Sequence, residues 1–171
     1  MKAISTLALL LICSLSQGQS IVREFLDNDI PEGGRSFYLY QSTLRSFSDK
    51  NSVAFNKLIK DVEKISIHLL PDSLAPGKLE TLEKTLRAEG YDDAKALPEK
   101  VPGLKLLVIK KGKSKHYVAM MQESGKSVVV ELEGEVNLLY IKSLKELNIE
   151  RVMGFFGVEP PKKQTPENTN K

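Results

Sequence analysis

Three carboxylates stand at alternate positions near the end of the chain: Glu131, Glu133 and Glu135. Alternate residues of a β-strand point to the same side, so a strand here would present all three on one face. Glycosidases use carboxylate pairs as acid and base, and carboxylate rows also bind calcium. The preceding hairpins carry opposite charges that would face this row across a sheet, at Lys105, Lys110, Lys111, Lys113 and Lys115. Ion pairing on a solvated face is therefore the expectation, with Glu131 and Glu133 kept as weak candidates for a carboxylate site.

The residue types that bind metals are few and scattered. A zinc ion takes three or four ligands at coherent spacing, whereas His68 falls within a predicted strand and His116 at the base of a predicted hairpin. Both histidines are expected to be exposed or hydrogen-bonded surface residues. The acidic stretch "DNDIPEGG" lacks the distal glutamate of a calcium loop. The sequence thus predicts neither a metal site nor a cofactor.

Nucleophilic catalysis finds no support in the motifs. The only cysteine is Cys13, near the amino terminus, and the chain contains no G-x-S-x-G turn. The stretch "SGKS" at 124–127 resembles the end of a phosphate-binding loop, but it lacks the leading glycine and a strand follows it. It is expected to be a hairpin turn. The chain is accordingly predicted to have no catalytic residues and not to be an enzyme.

A surface offers the more promising functional residues. Tyr38 and Tyr40 alternate with apolar residues in a predicted strand, so they share one face. Met121 is the second of two consecutive methionines in another strand, which face opposite ways, and it is expected as a soft contact away from the core. The basic stretch "KKGKSK" is expected to form a solvated hairpin tip. The candidate interaction surface consists of Tyr38, Tyr40, Met121, Lys113 and Lys115.

The elements that must position these residues follow from periodicity. The segments "RSFYLY" and "KISIHLL" alternate as strands do, and residues 53–62 and 76–90 carry apolar residues at helical spacing. A short strand is predicted in "DDAKALPEK", where Pro98 interrupts it. Three further strands, "LKLLVIKK", "KHYVAMMQE" and "SVVVELEGEV", are joined by hairpin-sized turns. A last helix is predicted after Asn137, which can cap it.

This order, β-α-β-α-β-β-β-β-α, predicts a single α+β domain with a mainly antiparallel sheet and helices packed on one face. The domain is expected to span residues 37–153. An N-terminal extension and loop, residues 19–36, precedes it, and a disordered tail rich in proline and lysine, residues 154–171, follows it. With helices on one face only, the opposite face would be open for binding.

Residues 1–18 have the features of a signal peptide. A basic residue is followed by a mostly apolar stretch to Cys13, which is too short to span a bilayer. Ser16 and Gly18 stand at the −3 and −1 positions of a cut before Gln19. A lipid on Cys13 would require a small residue directly before it, and Ile12 stands there instead. Lipid attachment and a retained anchor are the less favoured alternatives.

Composition limits the class of partner. Loss of residues 1–18 would remove one basic residue and the only cysteine, leaving 24 basic against 22 acidic side chains in 153 residues and no possible disulfide. A charge so close to neutral does not indicate a nucleic-acid partner. Stability would come from the core of one domain, and no transmembrane span is predicted in the mature chain.

Three stretches, "FYLYQSTLRSF", "GYDDAKAL" and "VVVELEGEVNLLYIKSLKEL", resemble an exported bacterial family catalogued as domain of unknown function 4252. The resemblance covers roughly residues 24–153 and includes a turn of glycine and an acidic residue, Gly134-Glu135, before a helix capped by Asn137. Many members of that family look like lipoproteins, and this chain departs from them at Ile12. The resemblance implies an α+β fold and a Gram-negative envelope location, and it transfers no catalytic or binding residues.

The sequence therefore predicts an exported, non-catalytic binding or interaction module in the periplasm of a Gram-negative bacterium. Its partner is expected to be an envelope protein or another envelope component. Two alternatives stay open: a small hydrolase or ligand-sequestering protein with a carboxylate site at Glu131 and Glu133, and a membrane-anchored lipoprotein.

Analysis of the amino-terminal peptide of the mature protein tests the export prediction. We expect the chain to begin at Gln19, because small residues precede that cut at the two positions that a signal peptidase reads. Mass spectrometry of the protein from the cell envelope would show this directly. A diacylated Cys13 at the amino terminus would contradict the prediction.

Overall fold

The computed structural model describes residues 20–30, 34–47, 52–71, 77–95, 101–123, 126–146 and 149–158. Strands and helices alternate in the first half of the chain, and hairpins dominate the second. In chain order the elements are α1 (Ile21–Asp29), β1 (Arg35–Tyr40), α2 (Gln41–Phe47), α3 (Val53–Leu58), β2 (Asp61–Leu69), α4 (Lys78–Ala88), β3 (Asp92–Asp93), β4 (Leu104–Lys111), β5 (Ser114–Glu123), β6 (Lys126–Glu135), a 3₁₀ helix (Leu138–Glu146) and α5 (Ile149–Phe155).

The strands form one six-stranded sheet in the order β1-β2-β6-β5-β4-β3, and every neighbouring pair is antiparallel. Strands β4, β5 and β6 follow one another as hairpins, as the short turns between them predict. Strand β2 then pairs with β6, so β2, β6 and β5 lie side by side in the middle of the sheet. The predicted α+β class with a mainly antiparallel sheet is confirmed.

The helices, however, lie on both faces of the sheet. On one face, strand residues such as Leu39, Ile67 and Leu132 pack with buried residues of α2, α3, the 3₁₀ helix and α5. On the other face, Val118 and Val129 pack in a second cluster with α1 and α4. The apolar runs in β4, β5 and β6 explain this arrangement, because consecutive apolar residues of a strand require cover on both sides.

Polar residues of the second face form a separate region over β1, β2 and β6. Ser36, Tyr38, Ser66 and Glu133 stand at positions that alternate with the apolar residues of the first cluster. Helix α1 borders this region with its first turn. Ser20 caps that helix, because its side chain accepts a hydrogen bond from the backbone N–H of Arg23 at 3.0 Å.

Both ends of the described chain contain more helix than the sequence indicated. The predicted extension, residues 19–36, includes α1, whose Val22, Phe25 and Leu26 are buried in the second cluster. Helix α5 continues to Phe155, Phe156 packs on Phe37, and Val158 packs against the first cluster, so residues 154–158 belong to the fold and not to the tail. The remaining tail, residues 159–171, and the predicted signal peptide lie outside the described residues. Within the described ranges, no helix has the length and apolar character needed to cross a membrane.

A bulge where β2 pairs with β6 depends on a glycine. Gly134 lies opposite Val62, and the register shifts between Val62 and Lys64. Its φ of +115° lies outside the range that other residues adopt readily, and a Cβ there would stand 2.6 Å from the carbonyl oxygen of Asp61. The glycine therefore allows the two backbones to approach at the end of the polar region.

We expect Gly134→Ala to lower the free energy of unfolding by about 2–3 kcal/mol, because backbone strain and a backbone clash add. Urea unfolding measures this effect. Gly112→Ala is the matched control, since Gly112 also has a positive φ, of +62°, but a Cβ there meets nothing within 4 Å. That variant should cost about 1 kcal/mol. Equal costs for the two variants would contradict the assigned role of the close approach.

Candidate functional site

The register of the three central strands places two histidines on either side of one carboxylate. Glu131 on β6 lies opposite Ser66 on β2 and Val118 on β5. His68 is two residues along β2 from Ser66, and His116 is two residues along β5 from Val118, on the same face of the sheet. Such diagonal neighbours are within reach of long side chains. The two imidazoles therefore meet the Glu131 carboxylate from both flanks.

The three side chains are in contact and almost wholly buried. His68 Nε2 lies 2.8 Å from Glu131 Oε1, and Ser20 Oγ donates a hydrogen bond to the same oxygen at 3.0 Å. His116 Nε2 lies 3.2 Å from Glu131 Oε2, although Oε2 forms no well-aligned hydrogen bond with a described residue. The exposed fractions of Glu131 and His68 are 3% and 0%.

Each histidine contacts a hydroxyl through its other ring nitrogen. Ser36 Oγ lies 2.8 Å from His68 Nδ1, and the Tyr91 hydroxyl lies 2.6 Å from His116 Nδ1. The result is a chain of polar contacts that we call the buried network: Ser36, His68, Glu131, His116 and Tyr91. One end, Ser36, is exposed to solvent, and the other end, Tyr91, is buried.

Protonation states in the network follow from these contacts. Burial raises the pKa of Glu131, but the contacts with the imidazoles of His116 and His68 lower it by more, and the net pKa is about 2. The carboxylate is therefore ionised at neutral pH. An ionised carboxylate only accepts hydrogen bonds, so the nitrogens that face it carry hydrogens. An imidazole with its hydrogen on Nε2 has Nδ1 as the acceptor, and Nδ1 faces the hydroxyl of Ser36 in His68 and of Tyr91 in His116. Burial, followed by the negative charge of Glu131, raises the pKa of Tyr91 well above its ordinary value, so Tyr91 stays a donor.

This arrangement corrects two expectations from the sequence. Glu131 is not part of a solvated row of ion pairs, because His68, His116 and Ser20 enclose it, whereas Glu133 and Glu135 pair with Lys64 and Lys115 near the surface. The histidines are hydrogen-bonded as expected, but they are buried and not on the surface. Both errors arise because the burial of a polar residue depends on its neighbours in space.

A pocket of about 260 Å³ adjoins the buried network on the polar region. The first turn of α1 forms one wall, and strands β1, β2 and β6 form its base. Its lining residues are Ser20, Arg23, Tyr38, Tyr40, Lys64, Ser66, Glu131 and Glu133. The pocket thus combines two basic groups, two carboxylates, two serine hydroxyls and two phenol rings.

Tyr38 lies between the two cations of this pocket. The Arg23 guanidinium donates a hydrogen bond from Nη1 to the Tyr38 hydroxyl at 3.0 Å, and its carbon lies 5.9 Å from the ring centre. Lys64 Nζ lies 5.8 Å from the ring centre and donates to Glu133 Oε1 at 3.0 Å. Burial lowers the pKa of Lys64, but its contact with Glu133 outweighs that effect and raises it. Both cations therefore remain charged and fixed in direction.

The structure brings together two sets of residues that the sequence singled out separately. Tyr38 and Tyr40 of the predicted interaction surface and the predicted carboxylates Glu131 and Glu133 line the same pocket. Met121 does not belong here, because it packs half-buried against the hydrophobic cluster on the opposite face of the sheet.

The two predicted lysines are also elsewhere. Lys113 is exposed in the turn between β4 and β5. Lys115 donates to Glu135 at 2.8 Å near the same end of β5, which raises the pKa of Lys115. They form a basic hairpin tip separate from the pocket, as the expectation of a solvated tip implied.

Besides the role of the two histidines, sequence reasoning missed six residues of the pocket and the buried network: Ser20, Arg23, Ser36, Lys64, Ser66 and Tyr91. A signal was present, because polar residues recur at alternate positions in three strand segments, in "RSFYLY", "KISIHLL" and "VELEGE". What the sequence lacked was the order of the strands. Without it, these polar positions could not be assigned to one face of one sheet.

A second concavity, of about 310 Å³, lies between α4 and strands β4 and β5. Two of its charged lining residues, Glu83 and Lys105, form an ion pair; Glu83 also pairs with Arg87, which contacts Asp93. These contacts, with Lys105 first among them, lower the pKa of Glu83. Glu83 and Lys105 in this concavity are therefore already paired with groups of the protein itself.

No group of three potential metal ligands within the described ranges is arranged to hold an ion. In the buried network the ring nitrogens of His68 and His116 face the Glu131 oxygens at hydrogen-bonding distance. These ring nitrogens thus face a carboxylate of the protein itself.

Comparison of the chain with protein-family models, with curated proteins and with solved structures finds no match. The resemblance to the exported family of unknown function thus stays a prediction.

The buried carboxylate generates a prediction on stability and pH. The pKa of Glu131 is lower in the folded protein than its ordinary value of 4.5, so its contribution is complete above about pH 5 and is lost as pH falls toward 2. This difference between the ordinary and the folded pKa of Glu131 corresponds to about 3 kcal/mol in the free energy of unfolding at neutral pH. Glu131→Gln should reduce the free energy of unfolding at neutral pH. The free energy of unfolding of this variant should also decrease less between about pH 5 and pH 2 than that of the wild type. Urea unfolding at a series of pH values measures both effects.

Glu133→Gln is the control for that experiment. Glu133 lies on the same strand and the same face, but its side chain is 45% exposed beside Lys64. We expect this variant to cost less than about 1 kcal/mol and to leave the acid limb unchanged. Identical behaviour of the two variants would contradict the central role of the buried carboxylate.

Proposed function

We propose that the protein is an exported binding module of the cell envelope, which holds a small polar ligand, or the polar tip of a larger envelope component, in the pocket over β1, β2 and β6. The observation that supports this proposal most strongly is the convergence of Tyr38, Tyr40, Lys64 and Glu133 on one concavity next to a buried charge. Binding sites typically combine a preformed concavity with a few polar groups fixed in direction.

The lining defines the chemistry of the ligand. Arg23 and Lys64 offer hydrogens, Glu133 accepts them, and the Tyr40 ring, 63% exposed, offers an apolar face at the rim. A molecule with several hydroxyl or amide groups on a compact ring matches these features, because each of its polar groups can find a fixed partner. A volume of about 260 Å³ suits a group of that size or the end of a longer chain.

The proposed export is compatible with this site. A cut before Gln19 would leave Ser20 in the mature chain, where it caps α1 and donates to Glu131 Oε1. The residues that build the pocket would thus all remain after cleavage. A periplasmic location would place the pocket among envelope proteins and envelope glycans, which supply ligands of the proposed chemistry.

Photo-cross-linking in intact cells tests the proposal. We expect benzoylphenylalanine in place of Tyr40 to yield a defined cross-linked product, because this position lies at the rim of the pocket. The same amino acid in place of Leu139 is the control: Leu139 is 70% exposed, similar to Tyr40, but lies on the 3₁₀ helix away from the pocket. Mass spectrometry of the product would identify what is bound.

A second variant ties the product to the chemistry of the pocket. Glu133→Ala removes a fixed acceptor and should reduce the yield at position 40 roughly tenfold, the effect of losing one charged hydrogen bond. No product above the position-139 control, or a product indifferent to Glu133→Ala, would contradict the proposal.

A further inference from the structure

We propose that Ser36 is a nucleophile that takes up the acyl group of carboxylic esters, with His68 as its general base and Glu131 as the residue that positions His68. This activity goes beyond the binding function, and it departs from the expectation that the chain lacks catalytic residues. It rests on the geometry of the buried network and not on the identity of any ligand in the pocket.

The three groups have the roles of a serine, histidine and carboxylate triad. Ser36 Oγ lies 2.8 Å from His68 Nδ1, and His68 Nε2 lies 2.8 Å from Glu131 Oε1. Because Nε2 carries the hydrogen that faces the carboxylate, Nδ1 is free to accept the Ser36 proton. Compared with the triad of chymotrypsin, the two ring nitrogens exchange partners, but the direction of proton transfer is the same.

The proposed nucleophile is exposed to solvent, whereas the base and the carboxylate behind it are buried. Ser36 is exposed on β1, whereas His68 and Glu131 are fixed within the central strands at 0% and 3% exposure. The base is thus held rigidly, and the hydroxyl can still meet a substrate. The Tyr38 ring packs edge-on against His68, with ring centres 6.2 Å apart, and limits rotation of the imidazole.

The other half of the network provides an internal comparison. His116 faces Glu131 through Nε2 and the Tyr91 hydroxyl through Nδ1. Its two ring nitrogens thus face the same kinds of group as those of His68. Tyr91, however, is 2% exposed, and its hydroxyl cannot meet a substrate. Of the two hydroxyls at the ends of the buried network, Ser36 is the one that solvent reaches.

The edge position of β1 supplies donors for the developing oxyanion. Strand β1 pairs with β2 on one side and ends the sheet on the other. In an antiparallel pair, successive residues direct their N–H groups alternately toward and away from the partner. Either Ser36 or the following residue, Phe37, therefore directs its N–H away from β2, toward the side on which no described strand pairs with β1. Backbone N–H groups at such a position stabilise a tetrahedral oxyanion.

The proposed step is balanced with these groups alone. Ser36 Oγ attacks the carbonyl carbon of the ester, and its proton passes to His68 Nδ1. The tetrahedral intermediate then collapses: the bond from carbon to the leaving oxygen breaks, and the imidazolium returns the proton to the leaving alcohol. The product is an acyl ester on Ser36. Attack of water on that ester, by the same proton transfers, releases a carboxylic acid and restores the serine.

The pocket lies close enough to hold part of such a substrate. Ser36 stands two residues before Tyr38 on the same face of β1, and Tyr38 lines the pocket. Successive residues on one face of a strand are roughly 7 Å apart. An ester whose polar part occupies the pocket can thus present its carbonyl group at Ser36.

Labelling with an alkyl fluorophosphonate tests the proposal on the purified full-length chain. The reagent forms a bond from phosphorus to an activated serine oxygen and releases fluoride. We expect one adduct, which peptide mapping assigns to Ser36 and which Ser36→Ala abolishes. Release of nitrophenolate from p-nitrophenyl acetate should fall at least roughly 100-fold in the same variant, the usual contribution of a positioned base and its nucleophile. Ser114→Ala is the control, because Ser114 is an exposed strand serine at a hairpin.

The role of Glu131 requires a readout beyond loss of rate. We expect Glu131→Gln to slow labelling of Ser36 and to lower the pH at which the rate is half-maximal, because the imidazolium formed in the step loses its ionic partner. The polar groups that surround His68 are Ser36, Tyr38 and Glu131, and through Glu131 also Ser20 and His116. A merely structural role of Glu131 would leave the midpoint pH unchanged.

A second nucleophile guards against a variant that fails to fold. Ser36→Cys keeps the network intact and exposes a thiol to His68. Its alkylation by iodoacetamide at neutral pH should be at least roughly tenfold faster than that of Ser114→Cys, with peptide mapping to separate either site from Cys13. Absence of a fluorophosphonate adduct on Ser36, or equal alkylation rates for the two thiols, would overturn the proposal.

Discussion

The burial of one ionised carboxylate governs the polar face of this protein. Glu131 is 3% exposed, and a charge removed from water in this way requires neighbours that donate to it. Ser20 donates to its Oε1, and the Nε2 atoms of His68 and His116 lie 2.8 Å from Oε1 and 3.2 Å from Oε2. Because Nε2 of each imidazole faces Glu131, Nδ1 of each faces a hydroxyl. The charge of Glu131 at the centre of the network therefore orients both imidazoles toward the hydroxyls at its ends.

The sheet and the first helix meet at the same carboxylate. Strands β2, β6 and β5 lie side by side, and their register places each histidine diagonally across from Glu131. Helix α1 adds Ser20, which accepts from the backbone of Arg23 and donates to Glu131, so the start of the helix is bonded to the buried charge. An ion pair between Lys78 and Asp29 joins the far end of α1 to α4. Helix α1 thus borders the polar region, and α4 packs on the apolar part of the same face.

The proposed binding pocket and the proposed nucleophile lie on this same face of the sheet. The pocket is lined by Tyr38, Tyr40, Lys64 and Glu133 near the surface, whereas His68 and Glu131 of the proposed triad are buried beneath the exposed Ser36. Glu131 belongs to both, since it lines the pocket and orients His68. A buried charge that already fixes two imidazoles provides a rigid base on which either function can be built.

Local patterns in the sequence predict most of the helices and strands. Alternation in "RSFYLY" and "KISIHLL", hairpin turns between three later strands and helical spacing at 76–90 are local signals, because each depends on the backbone geometry of a few consecutive residues. Which polar residues form the site depends on how the strands and α1 pack together. Glu131, Glu133 and Glu135 are equivalent as a pattern, yet Glu131 alone of these three lies between the two histidines and is buried. That distinction depends on strand order, on register and on the position of α1, which long-range packing sets and no short stretch of sequence encodes.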